Sequence, residues 1–148
     1  PKKSPYLVQA QILTDSGFRR SAIKQAELKA AQGKAPAWMY LWEWPTPAFS
    51  GKFGAVHGTD VGLAFHSTRG AMYGESPEAQ KMADRLASAW VNFARTGDPN
   101  NKEIPQWAPY KLDTRPVMVF DNNTRVENDY RGEFRKLWDE ISPPSSLG

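Results

Sequence analysis

Residues 37–44 read AWMYLWEW, a short apolar and aromatic run closed by Pro45 and Pro47. It does not alternate apolar with polar, so it predicts a strand covered on both faces rather than one face open to water. Such a strand belongs inside a layered α/β sheet with helices on each side. The sequence offers one other convincing strand, VMVF at 117–120. Two strands seldom form a stable sheet alone. The pattern therefore predicts part of a larger folding unit; the competing reading is a small α+β domain with a mostly helical core.

Helical text surrounds these strands. Residues 7–13 could be helix or strand, and TDSG at 14–17 reads as a turn. From about Arg20 to Gln32, with Phe18 just before, residues 18, 22, 23, 26 and 30 fall on one side at helical spacing. Gly33 and Pro36 mark its stop. The clearest helix runs from about Pro77 to Thr96. Ser76 is placed to cap it, Pro77 suits its first turn, and Gly97 ends it. Ala79, Met82, Leu86, Ala89, Trp90 and Phe93 form its apolar stripe. A last amphipathic helix spans about 130–141, gathering Phe134, Leu137, Trp138 and Ile141, and the tail at 142–148 reads as loose.

Composition narrows the function classes. The 148 residues are 40% hydrophobic and 24% charged, with a net charge of +3. The bases are interleaved with acids, which argues against a nucleic-acid partner. No cysteine is present, so disulfides, cysteine nucleophiles and cysteine metal sites are excluded. No apolar run is long enough to span a membrane. No secretory leader is visible, and the compartment stays open between cytoplasmic and secreted. Neither a cofactor nor a metal site is expected.

The chemistry rests on two histidines. His57 lies in GAVHGTD at 54–60, on a glycine-flanked loop after the strongest strand. Loops at strand ends are where open α/β folds place reactive groups, and the flanking glycines permit sharp turns. A lone loop histidine is more often structural, so spacing alone leaves both readings open. His66 reads as an ordinary exposed or capping residue. Trp38, Trp42 and Trp44 fit core packing of the strand better than a pocket wall.

YLWEW at 40–44, GAVHGTD at 54–60 and then Phe65 resemble the last catalytic region of the type-B carboxylesterase and cholinesterase family. Further matches keep the same order: TDS with Phe18, AWVNFARTGDPN at 89–100, WAPY at 107–110, and MVFD at 118–121. The resemblance covers about residues 11–138. It implies an α/β-hydrolase fold, of which residues 1–148 would be the C-terminal segment of one domain. It also implies a Ser-acid-His triad in that chain order. Only the histidine maps here, onto His57. No G-x-S-x-G elbow occurs, and the oxyanion-hole glycine run is absent. The family's acid lies upstream of the matched segment, so Asp15, Glu43 and Asp60 are not assigned to it. Asp60 matches an acidic position beside the histidine and fits a supporting role, holding the loop or a water near the triad; the alternative is an exposed cap for the helix that follows.

The resemblance thus implies a small carboxylic ester as substrate. The serine and acid would come from upstream polypeptide or from a separate chain, and residues 1–148 alone would be inactive. Two other readings stay open: a cholinesterase-like adhesion protein that has lost catalysis, and an independent aromatic carbohydrate-binding module.

Overall fold

The computed structural model describes residues 3–74 and 76–142. The tail expected to be loose lies, from residue 143 on, outside them. The order is α1 (Pro5–Leu13), a π-helical turn (Thr14–Arg19), α2 (Arg20–Ala31), β1 (Met39–Trp42), α3 (Thr59–Ala64), α4 (Pro77–Thr96), β2 (Pro116–Phe120), β3 (Arg125–Asn128) and α5 (Gly132–Ile141). The sheet order is β1-β2-β3, with β1 parallel to β2 and β2 antiparallel to β3. A parallel pair needs a long crossover, and α3 and α4 lie within it.

Side-chain alternation along β1 explains its all-apolar text. Trp38, Tyr40 and Trp42 pack on a core made by Leu63 of α3, Met82 and Leu86 of α4, Trp107, Met118 and Phe120. Met39 and Leu41 face the other way, onto Ile23, Ala26 and Ala30 of α2 together with Tyr110 and Val117. Successive side chains of a strand point to opposite faces, so both faces of this one are covered by helix, as the apolar run predicts.

Helix α4 keeps the bounds expected of it. The Ser76 hydroxyl accepts from the Ala79 amide at 3.2 Å, and Gly97 closes the helix at φ 79°, a left-handed conformation suited to glycine. Its stripe is buried through Ala89 and then opens, with Trp90 and Phe93 partly exposed.

Three expectations are corrected. Residues 14–17 do not turn: α1, which takes the helical one of the two readings open for 7–13, the π segment and α2 form one continuous helical run. A buried ion pair, Asp15 with Arg19 at 3.3 Å, spans the π segment and favours its helical form. Arg19 also donates to the carbonyls of Tyr130 and Arg131 just before α5. Phe18, expected on the inward stripe, is 76% exposed. Phe18 lies inside the π segment, whose wider turn takes it out of the 3.6-residue register of α2. The third correction is β3, RVEN, which the sequence reading lacked; its register is set by the ladder with β2.

Candidate active site

Beyond β1 the chain passes Trp44, fully within the core, and Thr46, whose hydroxyl donates to the Met72 carbonyl. The Thr46 amide donates to the Gly54 carbonyl at 3.0 Å, closing a loop that delivers residues 54–58 to the strand's end. Gly58 sits at φ 81° at the N-terminus of α3. Most side chains would be strained there. This glycine lets the chain pass from His57 straight into a helix.

Two hydrogen bonds tie β1 to this loop. The Tyr40 hydroxyl donates to Asp60 Oδ2 at 2.9 Å. Trp42 Nε1 donates to Thr59 Oγ1 at 2.9 Å. The Thr59 hydroxyl in turn donates to the Val56 carbonyl at 2.7 Å, spanning the backbone on which His57 sits. Tyr40 and Trp42 are two residues apart on one strand face, so a rigid element holds the loop at two adjacent points. Burial first, then the Asp60 carboxylate, pushes the Tyr40 phenol well above the ordinary tyrosine value. The phenol therefore stays a donor at neutral pH.

Asp60 is thus neither the first residue of α3 nor its cap, which is Gly58. Its carboxylate is partly buried and engaged by Tyr40. The two other acids near the histidine loop or matching the family motifs are also committed. Glu43 accepts from the Tyr130 hydroxyl at 2.7 Å and pairs with Arg131 at 2.5 Å. Asp15 is held by Arg19. Among the described residues, none hydrogen-bonds the His57 ring. That ring is exposed, and its neighbour is Phe18, with ring centroids 5.9 Å apart and planes at 25°.

A cavity of about 280 Å³ adjoins the loop at Gly54 and Ala55, with Leu7, Trp42, Glu43 and Phe53 in its walls. His57 does not line it. Trp38 contributes to a separate apolar groove with Tyr40, Trp90, Phe93 and Trp107. His66 follows Phe65, the C-cap of α3, and its exposed ring meets Asp84 of α4 at 2.7 Å, in keeping with the exposed one of its two readings. No cluster of three or more metal-ligating side chains occurs among the described residues, and no helix there is long and apolar enough to cross a membrane.

Tyr40→Phe is expected to lower stability by about 1.5 kcal/mol, the scale of a hydrogen bond to a charged group. Amides of residues 58–60 should then exchange faster while those of α4 do not. The sign with pH follows from the raised phenol value. The bond's contribution is intact through neutral pH and is lost as pH climbs above about 10, where the unfolded tyrosine ionises first. Denaturant titrations of wild type and variant at pH 7 and pH 11 check this: the gap between them should shrink at the higher pH.

Helices on both faces of a partly parallel sheet, with a glycine-framed histidine loop at a strand end, define an α/β-hydrolase arrangement. The chain belongs to the carboxylesterase family, whose model matches residues 4–138. It is 29% identical to the para-nitrobenzyl esterase of Bacillus subtilis over 134 residues, 86% of this chain and 26% of that protein. It is 27% identical to the phenmedipham hydrolase of Pseudarthrobacter oxydans, covering 85% of this chain and 27% of the relative. Among solved structures, a Geobacillus stearothermophilus carboxylesterase superimposes with TM-score 0.73 at 28% identity, over 93% of this chain and 30% of that one. A solved PNB esterase gives TM-score 0.75 at 28% identity, over 88% and 26%. The chain thus spans about a quarter of the length of the curated relatives it matches.

Proposed function

We propose that this chain supplies the catalytic histidine of a carboxylic ester hydrolase, as the C-terminal segment, residues 1–148, of one α/β-hydrolase domain. The observation that carries the reading is His57 itself. Its backbone is clamped to a buried strand through Thr59 and Asp60, while its ring is left free to meet groups from outside the chain. Family membership and relatives named as esterases support a small carboxylic ester as substrate.

The steps follow from imidazole chemistry. His57 takes the proton from a serine hydroxyl as that oxygen attacks the ester carbonyl. It then hands the proton to the departing alcohol, and repeats the cycle with water to release the acid. An ordinary imidazole titrates near about pH 6.5, which suits both transfers. The serine, the acid that orients the ring and the oxyanion donors come from polypeptide outside these residues. Asp60 serves by holding the loop through Tyr40 rather than as the triad acid.

The 148 residues alone are expected not to hydrolyse p-nitrophenyl butyrate above a free-imidazole control. A stoichiometric burst of nitrophenol from the purified chain would contradict the assignment, because it would require a nucleophile within it.

A further inference from the structure

We infer that Thr59 is a positioning residue for the base, its hydroxyl fixing the turn from which the His57 ring projects. This rests on His57 having the role proposed above. His57 is the second residue of a tight turn, Val56–Thr59, closed by the Thr59 amide donating to the Val56 carbonyl at 3.2 Å. Gly58, the third, has φ 81° and ψ −3°, the values of a type II turn. The exposed His57 ring takes its aim from that backbone.

A turn closed by one amide bond is easily deformed. Here the same carbonyl also accepts from the Thr59 hydroxyl at 2.7 Å. Thr59 Oγ1 in turn accepts from Trp42 Nε1 at 2.9 Å. An indole N–H can only donate and a carbonyl can only accept, so the single hydroxyl proton must go to Val56. Trp42 is paired with Phe120 in the β1–β2 ladder and packs on the core. One oxygen therefore joins the turn to the sheet. Thr59 is 5% exposed and opens α3, yet its side chain does not cap that helix. Its hydroxyl serves the turn instead. The β-branched side chain is stiff about χ1, which holds the oxygen in place.

Proton transfer needs an imidazole nitrogen within about 2.6–3.2 Å of the oxygen it serves. A misplacement of about 1 Å can cost about 100-fold in rate. Loosening the turn would slow acylation and deacylation together, so kcat should fall with KM little changed.

The test is steady-state hydrolysis of p-nitrophenyl butyrate by the complete protein carrying Thr59→Val, Thr59→Ser, Trp42→Phe, or Thr59→Val with Trp42→Phe. Thr59→Val keeps the shape and removes the hydroxyl. Its kcat is expected to fall at least about tenfold, with KM within about twofold of wild type. Thr59→Ser, which restores the hydroxyl, should recover most of that loss. Trp42→Phe should lower kcat by less than Thr59→Val does. Added to Thr59→Val it should lower kcat no further, because the two side chains act as one connection. A valine variant with wild-type kcat, a serine variant no better than valine, or losses that multiply in the double variant would overturn the assignment. Should Thr59→Val not fold, Trp42→Phe decides: a reduced kcat at unchanged KM supports the role, and an unchanged kcat ends it. His57→Ala run alongside separates the two readings. Normal turnover there removes the base and this role together. An inactive His57→Ala beside a fully active Thr59→Val removes the positioning role alone.

Discussion

On the proposed role of His57, its replacement by alanine in the complete protein is expected to cut ester turnover by about 10⁴–10⁶-fold, the scale of triad knockouts in serine hydrolases. The size follows from what is lost. In the proposed mechanism one imidazole makes both proton transfers of acylation and both of deacylation, so its loss would leave the serine un-ionised and the leaving alkoxide unprotonated. Binding and oxyanion stabilisation survive, so residual activity above water should remain, with KM little altered. The fold should survive too, because the ring is exposed and bonds none of the described residues. Steady-state assays on p-nitrophenyl butyrate, with circular dichroism to show an unchanged fold, check this. A loss smaller than about tenfold would place the base elsewhere.

The largest effect on stability is expected at Phe120, the last residue of β2. It is fully buried and meets Tyr40 and Trp107 edge-on, at 5.9 and 6.2 Å between ring centres. Phe120→Ala removes a ring shared by the strand, by Trp107 and by the side chain that holds Asp60. The transfer loss plus the cavity should cost about 3–5 kcal/mol. Phe120→Leu, which keeps most of the volume, should cost less than half of that. Denaturant titration of the full-length protein measures both. Equal stability of the alanine variant would mean that this core does not carry the β1–β2 pair. Because Tyr40 keeps Trp90 but loses Phe120 as a packing partner, activity in Phe120→Ala should fall before the fold is lost.

The readable parts of the sequence were those where local chemistry and tertiary context agree. Ser76, Pro77 and Gly97 bound α4 by capping rules alone. The run at 37–44 announced a strand with two covered faces, because no polar residue interrupts the apolar text before Glu43. The π segment went unread because Thr14, Asp15, Ser16 and Gly17 each favour a turn, whereas a buried Asp15–Arg19 pair and two distant carbonyls outweigh those preferences. The rotation it introduces moved Phe18 from the expected core stripe to the side of His57. Strand β3 is too short and polar to signal itself; it forms on the β2 ladder with Arg125 paired to Asp121 and Glu127.

For the site, position 57 and the acidic residue three further on were visible in the motif. The clamp was not. Two aromatic donors at i and i+2 before a loop containing Thr59 and Asp60 are a usable signal in hindsight. Which donor meets which acceptor, however, is decided by how α3 docks on the strand, and that is tertiary.

The most direct test is the distance from the His57 ring to a serine in a crystal structure of the full-length protein. One imidazole nitrogen is expected within about 2.6–3.2 Å of a serine Oγ contributed from outside these residues. A ring that still faces solvent, with every serine hydroxyl beyond hydrogen-bond reach, would contradict it.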